Sequence, residues 1–333
     1  LLPQTILSII KGEKMKKITA KDVKVPADVP KEMKKEYLSN YLKSTRNTGR
    51  LMLFAGDQKV EHLNDDFIGM TKEGLKISED DADPEHFFRI ASKGTIGIFA
   101  AQLGMIAKYG MDYKKLNYLV KMNSKTNLVK DDQTDPVTQS LVDFEDVLTL
   151  KESSGLNIIG IGYTVYLGSE YEHMMLSEAG RLVTWAHQNG LLTVLWMYPR
   201  GKTIKNEKDP HLVAGAAGVA LALGSDFAKV NYPKVNGNEK QRAEAFKEAI
   251  KAAGRTGIIT SGGSSRDVKT FLQETYDQIH ISGATGNATG RNIHQKSLKD
   301  AVSMTKAISA ITLGDKDVAF AYDVYKGKKK FDL

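Results

Sequence analysis

The sequence contains no cysteine. Disulfides, thiolate nucleophiles and sulfur-ligated metals are thereby excluded, and a reducing, cytoplasmic setting is expected. It also lacks an apolar run long enough to span a bilayer, so no membrane partner is expected. The opening LLPQTILSIIKGEKMKK has a short apolar stretch, but its positive charges follow that stretch, the reverse of a secretory signal. The chain starts at Leu1, and Met15 is an alternative start. No GxGxxG follows the first candidate strand, which disfavours a dinucleotide-binding open sheet. The seven histidines, from His62 to His294, show no pair at metal-ligand spacing, so a zinc-dependent mechanism is disfavoured and no metal or cofactor is expected. Zinc-finger spacing and aromatic RNA-binding signatures are missing too. The net charge of +7 is scattered, dense only at Lys326, Lys328, Lys329 and Lys330. Nucleic acid is therefore not expected as a partner, and the excess reads as solvated surface with some attraction for phosphorylated substrates.

What is present is an ordinary globular composition, 41% hydrophobic and 26% charged over 333 residues. That length suits one large barrel or two ordinary domains. Short β-branched and aliphatic runs alternate with longer amphipathic stretches, the sign of βα units. The strand candidates are Leu51 to Ala55, Thr95 to Ala100, Tyr118 to Met122, Asn157 to Gly162, Leu192 to Tyr198, Phe227 to Asn231, Gly257 to Ser261, and Gln278 to Ser282. Helical patterns cover Ser169 to His187, Asp209 to Leu223, Glu239 to Ala253, Ser265 to Glu274 and Leu298 to Ile311. Asp83-Pro84 and Asp209-Pro210 read as N-caps with Pro at N1, and Gly190, Gly224 and Gly254 as C-terminal caps. Eight strands with helices between them predict an α/β fold, a closed (β/α)8 TIM barrel over residues 50–315. Residues 1–49 form a helical N-terminal extension outside it, with KVPADVP as a turn, and residues 316–333 a basic tail.

In such a barrel the active site lies at the C-terminal ends of the strands. The polar residues there are Asp57, Gln102, Lys121, Asn123, Tyr198, Arg200, Lys229, Asn231, Ser261 and Ser282. Lys229 stands in an apolar strand, where burial disfavours the ammonium and frees an amine to attack a carbonyl. A lone strand lysine more often snorkels or pairs with a carboxylate. Its neighbour strand changes that balance, because period two places Trp196, Tyr198 and Arg200 on one face. A phenol beside an amine can serve as acid and base, although core packing is the commoner fate of aromatics.

Thr260-Ser261-Gly262-Gly263-Ser264-Ser265 follows the seventh candidate strand, and Gly283-Ala284-Thr285-Gly286 with Gly290-Arg291 follows the eighth. Glycines let backbone N–H groups approach a phosphate, a helix N-terminus favours the anion, and Arg291 adds a forked cationic donor. Asp57 is the innermost carboxylate of the first strand and can tune Lys229 or bind substrate hydroxyls. Glu61 and His62 lie just beyond it. Lys121, a second strand-end lysine, is placed near the site as a substrate-binding residue, without the nucleophile's role.

Taken together, GDQKVEH, VKMNSKTNL, VLWMYPRG, DFAKVNY, ITSGGSS and GATGNATGRNIHQ resemble the DhnA-type class I fructose-bisphosphate aldolases of archaea and bacteria, over about Arg50 to Ile311. The resemblance implies metal-free, reversible cleavage of fructose 1,6-bisphosphate to dihydroxyacetone phosphate and glyceraldehyde 3-phosphate in glycolysis or gluconeogenesis. It implies Lys229 as Schiff-base lysine, Tyr198 as proton-transferring tyrosine, with Trp196 and Asp57 beside them. Ser261, Gly262, Gly263, Gly290 and Arg291 match its phosphate positions and Arg200 its strand-five arginine. Lys59 departs from the glycine many relatives carry, and the N-terminal extension is longer than in the short archaeal enzymes. A phosphorylated sugar is the expected partner, together with further copies of the chain in a ring-like, decamer-type homo-oligomer. Aminodideoxyheptulosonate synthases, which run a transaldolase-like transfer, are the nearest alternative; their strand usually lacks the tryptophan. A thiolase-like branch and a non-catalytic sugar-phosphate-binding barrel are further alternatives.

Overall fold

The computed structural model describes residues 17–62, 64–127 and 135–333. Ten strands occur in it: β1 Leu51–Ala55, β2 Ile98–Ala101, β3 Tyr118–Lys121, β4 Asn123–Ser124, β5 Gln139–Ser140, β6 Ile158–Leu167, β7 Leu192–Pro199, β8 Phe227–Val230, β9 Gly257–Ser261 and β10 Gly286–Thr289. Eight of them, in the order β1-β2-β3-β6-β7-β8-β9-β10, close into a barrel in which every pairing is parallel. The pair β4-β5 is a small antiparallel sheet outside it. The alternation of side chains sorts each strand into two cores. Leu51, Leu53, Leu119, Val194, Trp196, Phe227 and Ile259 fill the barrel. Met52, Phe54, Val120, Leu195, Met197 and Val230 face the surrounding helices.

Helix ends follow the expected punctuation. Asp209 accepts from the amides of His211 and Leu212 at 3.0 and 3.1 Å, with Pro210 in the first turn. Asp83 accepts from the Glu85 amide at 2.9 Å ahead of helix Glu85–Lys93. Gly190, Gly224 and Gly254 end their helices at φ +67°, +83° and +56°, a conformation that penalises any Cβ.

The N-terminal segment does more than pack outside the barrel: it closes the base. Helix Lys34–Ser44 lies across the N-terminal ends of the strands, and Tyr41 stacks on the inward-facing Phe227 at 5.8 Å. Its Ser44 carbonyl comes so near Gly97 that a Cβ there would lie 1.9 Å away. A buried polar network fastens it. His187 bridges Asp28 at 2.8 Å and Asp226 at 3.2 Å, and Tyr37 donates to Asp226. The opening apolar stretch and Met15 lie outside the described residues.

Three expectations about the elements need correction. Gln278–Ser282 is no strand: Asp277–Ile281 is a π-helical turn continuing helix Val268–Tyr276, and the eighth barrel strand is Gly286–Thr289. Its Gly286 passes so close to β1 that a Cβ would lie 2.0 Å from the Leu51 carbonyl oxygen. The strands Ile98–Ala101 and Ile158–Leu167 also run further toward the site than expected. The tail, meanwhile, holds helix Val318–Tyr325, packed against helices Leu298–Thr312 and Val268–Tyr276, with Phe331 buried over Gly314. No helix among the described residues is long and apolar enough to cross a membrane.

Candidate active site

With the base closed, the open C-terminal end of the barrel holds a cavity of about 310 Å³, lined by Asp57, Trp196, Tyr198, Arg200, Lys229, Ser261, Gly262, Gly263, Gly290 and Arg291 among others. A larger cleft of about 620 Å³ lies at the base, where Tyr37, Tyr41 and Phe227 bring no buried amine. The convergence of groups, not volume, marks the chemistry.

Register places Trp196 beside Lys229 on β7 and β8. Lys229 is 6% exposed, its Nζ lies 5.0 Å from the Trp196 ring, and it has no hydrogen-bond or ion-pair partner among the described residues. Burial lowers its pKa from the ordinary lysine value; Asp57 and Glu61 oppose that and Arg291 adds to it. The second lysine differs. Lys121 Nζ lies 5.2 Å from the same indole but donates to the carbonyl and side-chain oxygens of Asn123 at 2.6 and 2.8 Å. Asn123 is itself fixed by the Thr164 carbonyl and amide at 2.8 and 2.7 Å. Burial brings Lys121 down to about 8 against the pull of Asp57 and Glu61. Contrary to the expectation of substrate contact, Lys121 is tethered to its own strand end and does not line the cavity. Lys229 keeps its lone pair free for a carbonyl.

The indole has room because Gly162 stands opposite: a Cβ there would come within 2.4 Å of Trp196. Tyr198, one inward step beyond, pairs in register with Tyr166. Burial holds the Tyr198 phenol well above its ordinary pKa, Asp57 and Glu61 push the same way, and Arg200 and Arg291 push back. It stays protonated, fit to give a proton and take it back. Asp57 turns a buried Oδ1 with no protein partner toward this space, its backbone carbonyl fixed by Gln102 at 2.7 Å. Arg200 departs from expectation, since its fork is closed on Glu207 at 2.7 and 2.9 Å, with Glu61 3.9 Å away.

Opposite lies an anion cradle. The amides of Gly263 and Ser264 have no acceptor among the described residues, whereas the Gly262 amide is spent on the Ala288 carbonyl at 3.1 Å. Gly263 needs its φ of +66° for the turn. Asn292 Nδ2 donates to the carbonyls of Gly262 and Ser264 at 3.0 and 2.9 Å, and Ser265 donates to the Arg291 carbonyl at 2.8 Å, locking the two loops together. Arg291 Nε is buried without a partner, and its Nη1 meets Asp66 at 3.4 Å. An unpaired guanidinium N–H beside free amides fits a phosphate. Gly283, expected here, stands before β10 at the other end of the strand, where its φ of +89° serves the turn out of the π-helical segment. Ser282 is likewise remote and donates to the Ala243 carbonyl at 2.9 Å.

A family profile described as DeoC/LacD family aldolase matches residues 51–296. The chain belongs to that aldolase family. A fructose-bisphosphate aldolase/6-deoxy-5-ketofructose 1-phosphate synthase of Methanocaldococcus jannaschii is 58% identical over 95% of this chain and 98% of its own. A class 1 fructose-bisphosphate aldolase of Thermoproteus tenax is 31% identical over 84% and 95%. The solved fructose-bisphosphate aldolase of Slackia heliotrinireducens superposes with a TM-score of 0.91 at 57% identity, covering 96% of this chain and 98% of that one. This aldolase is thus similar to class 1, Schiff-base-forming enzymes of archaeal type, on the (β/α)8 barrel they share.

Gln58, Asn127, Glu207 and Lys208 line the cavity without having been singled out in the sequence, and Glu61 and His62 prove to line it as well. Glu207 and Lys208 sit in a loop with no periodic signal. Gln58 was visible within GDQKVEH, directly after the strand-end aspartate.

Proposed function

We propose that this aldolase cleaves and forms fructose 1,6-bisphosphate through a Schiff base on Lys229. The observation that carries the reading is the free, buried amine of Lys229 in one cavity with the Tyr198 phenol and the Gly263–Arg291 anion cradle. In this scheme the Lys229 amine adds to the C2 carbonyl, and the carbinolamine loses water with a proton from Tyr198, leaving an iminium. The C3–C4 bond then breaks: its electrons flow into the iminium to form an enamine, and the C4 hydroxyl gives its proton to the Tyr198 phenolate as the aldehyde departs. Protonation of C3 and hydrolysis release dihydroxyacetone phosphate and the free lysine. Asp57 holds the sugar hydroxyls, Trp196 walls the amine, and the cradle anchors one phosphate. Borohydride reduction with dihydroxyacetone phosphate, followed by peptide mass mapping, should place the adduct on Lys229. An intact Lys229 peptide would end the mechanism.

A second reading shares every step up to the enamine. 6-Deoxy-5-ketofructose 1-phosphate, named for the Methanocaldococcus relative, divides at C3–C4 into dihydroxyacetone phosphate and methylglyoxal, an aldehyde without phosphate. The Arg200 fork, closed by Glu207, favours such an acceptor, because it leaves the distal end of the cavity without a free bidentate cation. Offering methylglyoxal and glyceraldehyde 3-phosphate in competition for the enamine separates the two readings by product mass.

A further inference from the structure

Behind the anion cradle a buried pair has no part in the chemistry above. Asp81 and His294 are both 0% exposed, and His294 Nδ1 lies 2.9 and 2.8 Å from the two Asp81 oxygens. Across the ring, His294 Nε2 is 2.7 Å from Gln58 Oε1. The His294 and Lys296 carbonyls contact His86 Nε2 at 3.0 and 3.1 Å, which fixes the short helix carrying Arg291 and His294. The Gln58 carboxamide lies flat against Gly290: a Cβ there would be 2.4 Å from its Oε1 and 2.9 Å from its Nε2. Gln58 thus lines the cavity beside Arg291, and its Nε2 has no acceptor among the described residues.

We propose that Gln58 is a phosphate-binding residue of this site, presenting its amide N–H₂ to the anion in an orientation set by the buried Asp81–His294 pair. This rests on the aldolase reading for the identity of the ligand. The orientation is read from the Gln58 oxygen that faces the ring: Oε1 lies 2.7 Å from His294 Nε2, and an amide oxygen can only accept, so Nε2 carries a proton. The other proton of the pair then lies between Asp81 and Nδ1. An Nε2–H must meet an oxygen, so Oε1 turns to the histidine and both amide hydrogens turn away. With the ring nitrogen bare the amide would reverse, and its oxygen would face the phosphate. Glycine at 290 is what allows the amide to lie so near the backbone of the cradle.

The test uses the whole protein and two substitutions at this half-exposed position, Gln58→Met and Gln58→Glu. Gln58→Met keeps the shape and removes the donors; inorganic phosphate, measured by calorimetry, should bind about tenfold more weakly, as for one hydrogen bond to a charged group. Gln58→Glu still accepts from His294 but points an oxygen at the anion, and should weaken phosphate further. With fructose 1,6-bisphosphate each should raise KM in line with its own loss of phosphate affinity at nearly constant kcat, and both should keep the Lys229 adduct at saturating substrate. Replacing the pair together, Asp81→Leu with His294→Phe, frees the amide; in that background Gln58→Met should add little further loss. Wild-type phosphate affinity in both Gln58 variants would overturn the proposal. A wild-type enzyme without a Lys229 adduct, whose phosphate binding still depends on Gln58, would instead overturn the aldolase reading and leave this inference standing.

Discussion

Gly162→Ala tests whether the indole of Trp196 is a working wall of the site. The added methyl would lie 2.4 Å from Cζ3 and 2.9 Å from Cη2 of Trp196, and 2.8 Å from Cδ2 of Leu119. Ordinary carbon contacts begin near about 3.5 Å, so the ring must retreat by about 1 Å. Gly162 is not at positive φ, so alanine meets no backbone penalty and the indole bears the effect. Overpacking of this kind costs about 1–3 kcal/mol, lowering the melting temperature by a few degrees. The functional loss should be larger in proportion, because the ring lies 5.0 Å from the Lys229 amine and a 1 Å misplacement can cost about 10²-fold in rate. The measurements are thermal melting and kcat/KM on fructose 1,6-bisphosphate. Gly104→Ala is the control, since a Cβ there meets nothing within 4 Å. Adding Trp196→Phe should restore stability to the Gly162→Ala variant without restoring rate. Wild-type melting and activity in Gly162→Ala would refute the packing argument outright.

Lys229→Met should abolish both turnover and the borohydride adduct, while Lys121→Met keeps the adduct; peptide mapping of the two variants decides. The Lys229 amine must be neutral to attack, so adduct formation rises with pH through its lowered pKa. Asp57→Asn removes a carboxylate that holds this pKa up, and the acid limb of the adduct-rate profile should move to lower pH. Arg291→Lys replaces a fork whose Nε is unpaired by a single ammonium, and KM should rise about tenfold or more in steady-state kinetics. At the base, burial opposes the His187 imidazolium but Asp226 and Asp28 outweigh it, lifting its pKa from 6.5 to about 9. The resulting stability, about 3 kcal/mol, is complete below pH 6.5 and fades as pH climbs through about 9. Melting curves across that range should fall for the wild type and stay flatter for His187→Gln.

The barrel was legible because seven of its strands carry a burial pattern that the sequence repeats: Leu51–Ala55 and Gly257–Ser261 have the expected bounds. The eighth was hidden for a physical reason. Gly286–Thr289 is GNAT, small and polar, held by its close passage along β1 rather than by aliphatic packing. QIHIS just before it has the β-branched alternation of a strand, yet buries Ile279 from a π-helical turn. The misplaced strand moved Gly283 to the wrong end of the barrel, while Gly290 and Arg291 fell in the cradle because they follow either candidate. Ion pairing was equally hidden. Nothing in YPRG foretells that Arg200 closes on Glu207, since that contact comes from a loop without periodicity.

The choice between the two strand-end lysines shows what only three dimensions supply. Both stand on inward-facing positions, both are buried, and both lie near 5 Å from one indole. Adjacent ammonium groups in a space this dry repel, so the site favours a single charge. Lys121 is tethered, with two Asn123 oxygens at 2.6 and 2.8 Å to solvate its charge. Lys229 has no such acceptors and lines the open cavity. The coupling runs from the free lysine to the tethered one: burial brings the Lys121 amine down to about 8, and the charge on Lys229 pushes the same way. Asn123→Ala should therefore lower the Lys121 pKa further, because its solvating side-chain oxygen is gone, and leave the adduct-rate profile of Lys229 near that of the wild type. Lys229→Met should do the reverse and raise the Lys121 pKa, read by amine modification against pH with peptide mapping. A Lys121 profile unmoved by Lys229→Met would mean that the two amines titrate independently.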